Sequence, residues 1–303
     1  MSPSLYFLAD VLVHATPLIL TGLAVAVAFR AGVWNIGADG QFLAGATMAA
    51  WIAVTGAGAF GWLALPAALV GGAAGGAIWA WFAAELRSRF GVLEVISTIM
   101  LNFVATYGVS YLVRGPLQEP THVYPQTSSV AEWARIGAIA PGTRLHWGFV
   151  LALLLALGTW WVVRSTAIGF RLRATGANPF AARSAGSIDV TRVATWAFVV
   201  SGALAGVAGA IEVCGVTFAL YENISPGYGY TAIAVALLAA LDARWVIVTG
   251  IMFGALEAGA GALQRDMNIP STVASVIEAL AILALVAIAQ WRASVAKRRM
   301  VPA

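Results

Sequence analysis

One lysine, Lys297, and one cysteine, Cys214, are all that this 303-residue sequence holds of those two types. With no lysine outside the C-terminal tail there is no G-x-x-x-x-G-K-[ST] phosphate loop, so the chain cannot hydrolyse ATP by that machinery. H-E-x-x-H pairs, G-x-S-x-G elbows and paired His/Cys ligand spacings are missing too. No catalytic group, metal site or bound cofactor is therefore expected, and the sequence does not read as an enzyme. Cys214 lies in an apolar run with no base nearby in sequence to activate it, which makes it a packing residue and excludes a disulfide framework. Charge is the other shortage. Only 10% of the residues are charged while 61% are apolar, against about a quarter charged in a soluble domain. Such a chain is solvated mainly by lipid. The net charge of +4 comes from arginines placed between apolar runs. No basic stripe with interleaved aromatics exists, so no nucleic-acid partner is expected.

What the sequence does contain is apolar runs. A helix needs about 20 residues to cross the hydrocarbon layer. Runs at 5–29, 42–55, 61–84, 92–113, 147–163, 193–215, 228–241, 245–263 and 272–290 predict an all-α, polytopic transmembrane bundle of about 8–10 segments, forming a single membrane domain over 1–303. The runs 42–55 and 228–241 are short, and short or interrupted segments are where transporters place unwound backbone. Arginines orient the bundle. The connection 164–192 carries Arg164, Arg171, Arg173, Arg183 and Arg192 against the single acid Asp189, and the tail 291–303 carries Arg292, Lys297, Arg298 and Arg299 with no acid. Both are expected in the cytoplasm, as are the turns holding Arg87, Arg89 and Arg244. The segment 114–146 mixes acids, histidines and prolines and is expected outside. This alternation puts Met1 outside without an export signal. Either the polar segment after the first run is re-entrant, or a span that should precede it is missing.

Four segments depart from plain helix. Arg30 to Gln41 holds three glycines with Asn35, Asp39 and Gln41, more polarity than a hairpin needs. Non-helical backbone near a membrane usually lines a cavity, so these three side chains are candidates for a solute path. Glu94, Thr98 and Asn102 recur at i, i+4, i+8 and make one polar helix face. That face belongs in the bundle interior, where two roles fit it: interhelical hydrogen bonding, or contact with a solute for Thr98 and above all Asn102. In the arginine-rich connection, Asn178 is a good N-cap, Pro179 suits the first helical position and Gly186 the stop, predicting a helix of about two turns over 179–185; Asp189 can cap the span that follows. A short, sharply bounded helix of this kind is expected to dock on a partner protein. Finally, Glu222 to Thr231 contains Pro226, Gly227 and Gly229, which break helix, and Tyr228 and Tyr230, which fit either an interfacial belt or the mouth of a path.

Acids inside apolar runs are functional candidates. Glu257 sits in mid-span, Glu212 near a span end within reach of the interface, and Glu278 in the last run. His14 could titrate there or simply pack. Small-residue pairs (Gly71/Gly75, Gly72/Gly76, Gly202/Gly206 and Gly250/Gly254) speak for close helix packing in general.

Taken in order, Thr16-Pro-Leu-Ile-Leu-Thr-Gly-Leu, Asn35-Ile-Gly-Ala-Asp-Gly-Gln41, Ser97-Thr-Ile-Met-Leu-Asn102, Tyr111-Leu-Val-Arg-Gly-Pro116 and the run Gly229 to Leu238 resemble the permeases of nucleoside ABC importers. Those belong with the branched-chain amino acid and simple-sugar permeases. The resemblance extends from about Thr16 to Leu285. It implies a multi-pass subunit of a bacterial cytoplasmic membrane that moves nucleosides or related polar solutes by alternating access. The implied partners are a second permease subunit, an ABC ATPase that hydrolyses the ATP, and an extracytoplasmic solute-binding protein. It also implies that Gly176, Asn178, Pro179, Ala181, Ala182 and Gly186 couple to the ATPase. Asn35, Asp39, Gln41, Thr98, Asn102 and Glu257 are the solute-path candidates. Family members of the longer type usually carry an additional leading span and external segment before the stretch matching Thr16, and commonly a Glu where Asp39 stands. Rival readings are a permease for simple sugars or branched-chain amino acids, and an ion-coupled carrier or channel using Glu257 or His14 as a proton site.

Overall fold

The computed structural model describes residues 3–184 and 188–267, with scattered positions between 273 and 287. Gly186, Glu278, most of the predicted run 272–290 and the tail 291–303 lie outside the described residues. Among the described residues, six helices are long and apolar enough to cross a membrane, and the structure is helical in every regular element. In chain order the helices are α1 (Pro3–Arg30), α2 (Ala38–Trp51), the short α3 (Ala57–Phe60), α4 (Ala64–Phe90), α5 (Glu94–Arg114), α6 (Gly148–Ser165), α7 (Ala167–Ala177), α8 (Pro179–Ser184), α9 (Val190–Glu212), α10 (Tyr228–Leu238) and α11 (Ala243–Met267). Single π-helical turns extend α2 over Ile52–Gly56 and α9 over Val213–Thr217. The two runs expected to be short are α2, with 14 residues, and α10, with 11.

α1 is the axis of the bundle. It packs against α6, α9, α10 and α11, and its side chains from Leu18 to Ala28 are almost wholly buried. The hydroxyls of Thr16 and Thr21 donate to the carbonyls of Leu12 and Pro17, 2.8 and 2.7 Å away, so both are satisfied within the helix itself.

Lipid is as apolar as leucine, so helices in it associate by backbone approach and not by apolar burial. The small-residue pairs turn out to be specific contacts among α2, α4 and α9. A Cβ added to Gly76 would stand 2.2 Å from the Gly202 carbonyl oxygen, and one on Gly206 2.2 Å from that of Gly72. One on Gly209 would stand 2.1 Å from the Phe42 oxygen of α2. Gly254 of α11 meets Val11 and Ala15 of α1 in the same way, at 2.7 Å.

One end of the bundle collects most of the described arginines. Glu94 pairs with Arg87 across the α4–α5 turn at 3.3 Å. A cleft of about 220 Å³ is lined by Arg87, Ser88, Arg183 and Thr191 from α4, α8 and α9. Arg244, at the start of α11, lies over the Trp160 ring of α6, 4.9 Å from its centroid, with Arg164 on the same ring. At the opposite end, residues 115–147 form an irregular cap tied to the end of α9: Thr127 N donates to Leu220 O (2.9 Å), Val130 N to Phe218 O (2.7 Å) and Ile136 N to Cys214 O (2.8 Å). Cys214 is buried and unpaired, a packing residue as read.

Arg114 clamps this capped end. Its Nε and Nη2 donate to the two carboxylate oxygens of Glu222 at 2.6 and 2.7 Å, and Ser110 donates to the same carboxylate. These partners hold Glu222 down to about 2. A depressed carboxylate contributes its stability above its unfolded pKa, near 4.5, and loses it as pH falls through the folded value. The difference in thermal midpoint between the protein and Glu222→Gln is therefore expected to be constant from pH 7 to about 4.5 and to shrink toward pH 2. A difference already gone at pH 5 would show that the clamp does not hold in solution.

Candidate functional site

The residues picked out around Gly32–Gln41 converge inside the bundle. After α1 the chain runs unwound through residues 31–37 before α2 begins. Asn35, fully buried, holds this stretch. Its Nδ2 donates to Gln41 Oε1 (2.9 Å) and to Ser201 Oγ of α9 (2.8 Å), while its Oδ1 accepts from Gly37 N (2.9 Å) and Gln41 Nε2 (3.0 Å). Ser201 in turn donates to Ala24 O of α1 at 2.6 Å. Every hydrogen-bonding atom of the Asn35 amide is occupied within the protein, as a buried amide requires.

Asn102 joins this stretch to α5. Its Oδ1 accepts from Gly40 N (2.8 Å), and its Nδ2 donates to Ile36 O (2.9 Å) and to the Tyr230 hydroxyl of α10 (3.1 Å). Of the two roles open to the polar face of α5, the structure shows interhelical hydrogen bonding at Asn102. Thr98 turns its hydroxyl back to Glu94 O (2.7 Å) and packs its Cβ against Gly37.

Asp39 supplies the third join. It accepts from Ser225 Oγ (2.7 Å) and from Gly229 N (3.1 Å), capping the first turn of α10 from the first turn of α2. The two helix starts touch so closely that a Cβ on Gly229 would stand 2.1 Å from Asp39 N. At 1.5 Å per residue, Asn102 lies about 12 Å along α5 from Glu94 and about 18 Å from Arg114. Two short helices thus begin side by side deep within the bundle. That arrangement, discontinuous helices meeting at depth, is the one in which transporters build solute sites.

Glu257 is not part of it. It sits on α11 with His14, whose Nδ1 is 3.4 Å from Glu257 Oε2; Asp10 is 3.9 Å from the other imidazole nitrogen and 3.7 Å from Arg265. His14 therefore packs among charges and not alone. Glu212 is buried rather than at an interface, because α9 continues past it as the π-turn Val213–Thr217 under the capping segment.

The coupling candidates are arranged as a second unit. Asn178 caps α8 by accepting from Phe180 N and Ala181 N, both at 3.0 Å, and Asp189 caps α9 by accepting from Arg192 N at 3.0 Å. α8 runs Pro179–Ser184, so the predicted stop at Gly186 lies outside the described residues. Pro179 opens the helix, Ala182 is buried, Ala181 is exposed, and Phe180 is 80% exposed. Gly176 closes α7 against the end of α1, where a Cβ would stand 2.0 Å from Arg30 O.

Sequence reading missed α7, because its composition is that of a basic loop; its one local mark is Thr166, whose Oγ1 accepts from Gly169 N at 3.2 Å as an N-cap. It also missed Ser201 and Ser225. Ser201 is a lone hydroxyl in an apolar run whose partner lies 166 residues away, and no local pattern marks such a contact.

The family model described as branched-chain amino acid transport system / permease component matches residues 7–288. A guanosine ABC transporter permease protein of Bacillus subtilis is 36% identical over 92% of this chain and 80% of its own length. A glucose ABC transporter permease protein of Haloferax volcanii is 36% identical over 93% of this chain and 77% of its own. A nucleoside ABC transporter permease protein of Lactococcus lactis is 29% identical over 87% of this chain and 74% of its own.

Proposed function

Given that this chain belongs to the family of permease components of branched-chain amino acid transport systems, we propose that it is the membrane subunit of an ABC importer that moves nucleosides or related polar solutes by alternating access. The observation that carries the reading is the junction of α2, α5 and α10, where Asn35, Asp39, Gln41, Thr98 and Asn102 hold two helix starts together at depth. These buried, mutually bonded side chains form the joint on which the path opens. Glu257, with His14, belongs to a separate charged group between α1 and α11.

The arginine-bearing end faces the cytoplasm of a bacterium, with residues 164–192 as the coupling segment and the C-terminus on the same side. Residues 114–146 then face outward, toward a solute-binding protein. A second permease subunit completes the membrane part, and a partner ATPase seats α8, with Phe180 projecting and Asn178, Pro179, Ala181 and Ala182 shaping it; Gly176 and Gly186 are the remaining coupling candidates. This chain needs no cofactor of its own. The seat of Gly176 on Arg30 supports a direct mechanical route: a push on α8 passes through α7 to the end of α1 and into the unwound stretch that Asn35 holds.

Two assays test this. The complex with its ATPase and binding protein, in proteoliposomes, should take up guanosine at the expense of ATP; uptake of glucose but not nucleosides would move the substrate to the sugar relative's class. Gly176→Val should displace the Arg30 backbone at one end of α1, and the complex that still assembles should take up solute about tenfold or more slowly at a similar rate of ATP hydrolysis. Uptake as fast as in the unaltered complex would remove the lever.

A further inference from the structure

The outward faces of the spanning helices are not alike. α4 exposes Val70, Ile78, Trp81 and Phe82, and α6 exposes Leu154, Leu157 and Trp161. None of these carries a hydroxyl; their polar atoms are the indole N–H groups of Trp81 and Trp161. α5 differs. While Thr98, Asn102, Ala105 and Val109 are buried, Phe103, Tyr107 and Tyr111 recur at i, i+4, i+8 on the other side, 51%, 72% and 72% exposed. Among the described residues neither tyrosine hydroxyl has a hydrogen-bond partner.

Depth makes this informative. Counted from Arg114, Tyr111 lies about 5 Å in, where an aromatic belt would sit, but Tyr107 lies about 10 Å in and Phe103 about 16 Å. Tyr230 of α10 lies deeper still: its ring is 45% exposed and its hydroxyl accepts from Asn102, about 18 Å from Arg114. Four rings therefore descend from the clamped end of α5 to the junction of α2 and α10. The unpaired Tyr107 hydroxyl at its depth needs water or a polar solute before it.

We propose that Phe103, Tyr107, Tyr111 and Tyr230 form one wall of the solute path, on which a purine or pyrimidine base stacks as it descends. The proposal rests on the importer reading above and adds the chemical ground for preferring nucleosides to free sugars. A flat base meets the ring faces by stacking, worth roughly tenfold to a hundredfold per ring and tolerant of base identity. The ribose hydroxyls are left to the tyrosine oxygens. A free sugar has no aromatic face to offer.

The test measures guanosine uptake by the full reconstituted complex at saturating solute and binding protein. Tyr107→Ala should lower the rate about tenfold, Tyr107→Phe should keep most of it, and Trp161→Ala on the exposed face of α6 should change little. An unaltered rate in Tyr107→Ala would overturn the proposal alone. So would loss of the second permease subunit from the purified Tyr107→Ala complex, which would make this face a subunit contact. Failure of the unaltered complex to take up any nucleoside would instead overturn the functional reading, and the proposal with it.

Discussion

Valine in place of Gly206 is expected to prevent the bundle from forming, seen as loss of the monodisperse peak in fluorescence-detected size exclusion. Gly206 is enclosed on two sides. Its own added Cβ would meet Gly72 O at 2.2 Å and Gly76 Cα at 3.0 Å on α4, and Gly45 of α2 approaches its Cα so closely that a Cβ there would be 2.3 Å away. Both neighbours are backbone, so no rotamer change can relieve the clash; α4 or α2 must move off α9. Overpacking a well-filled core ordinarily costs about 1–3 kcal/mol per site, and a forced separation of three helices lies at or beyond the top of that range. Gly158→Val on α6 is the matching control, since nothing lies within 4 Å of its Cβ position. A Gly206→Val protein as monodisperse as the Gly158→Val protein would refute this account of the packing.

Asn102→Leu is expected to abolish transport while leaving most of the fold in place. The substitution is close in volume, so packing changes little. What disappears is a set of three hydrogen bonds linking α5 to Gly40, Ile36 and Tyr230. Gly40 N–H is left buried with no acceptor and Ile36 C=O loses its donor, each at about 1–3 kcal/mol. The unwound stretch then has Asn35 as its remaining amide anchor, and the start of α2 is free to shift against α10. Asn102→Asp keeps the acceptor for Gly40 N and should retain part of the activity. The checks are uptake by the reconstituted complex and the unfolding midpoint in detergent. Equal uptake by the leucine variant and the unaltered protein would mean that this junction does not govern the path.

The caps of α8 and α9 were legible because each is a local event: Asn178 and Asp189 bond to amides two or three residues away, and a reader of the chain sees both partners at once. The polar face of α5 was legible as a face but not as a set of contacts. Thr98 and Asn102 share one side of a helix by its period alone, whereas the carbonyl that Asn102 meets belongs to Ile36, 66 residues away. Glu257 shows the reverse: an acid in mid-span was correctly noticed, yet its partner His14 and its distance from the α2–α10 junction depend on which face α11 turns to α1.

Composition and the long unbroken apolar runs determined that this is a helical membrane protein without a phosphate loop, because runs of that length fit spanning helices and not the short alternating strands of a barrel, and because a missing lysine cannot be replaced by folding. The short α2 and α10 were visible for the same reason, as runs too brief to cross. Only the tertiary structure decided that these two helices begin against each other, with Asp39 of one capping the other across 190 residues of chain. That contact depends on Gly229 having no side chain and on α9 bringing α10 back beside α2. Such long-range closure is set by how glycine-lined helices fit together, and no local pattern in the chain contains it.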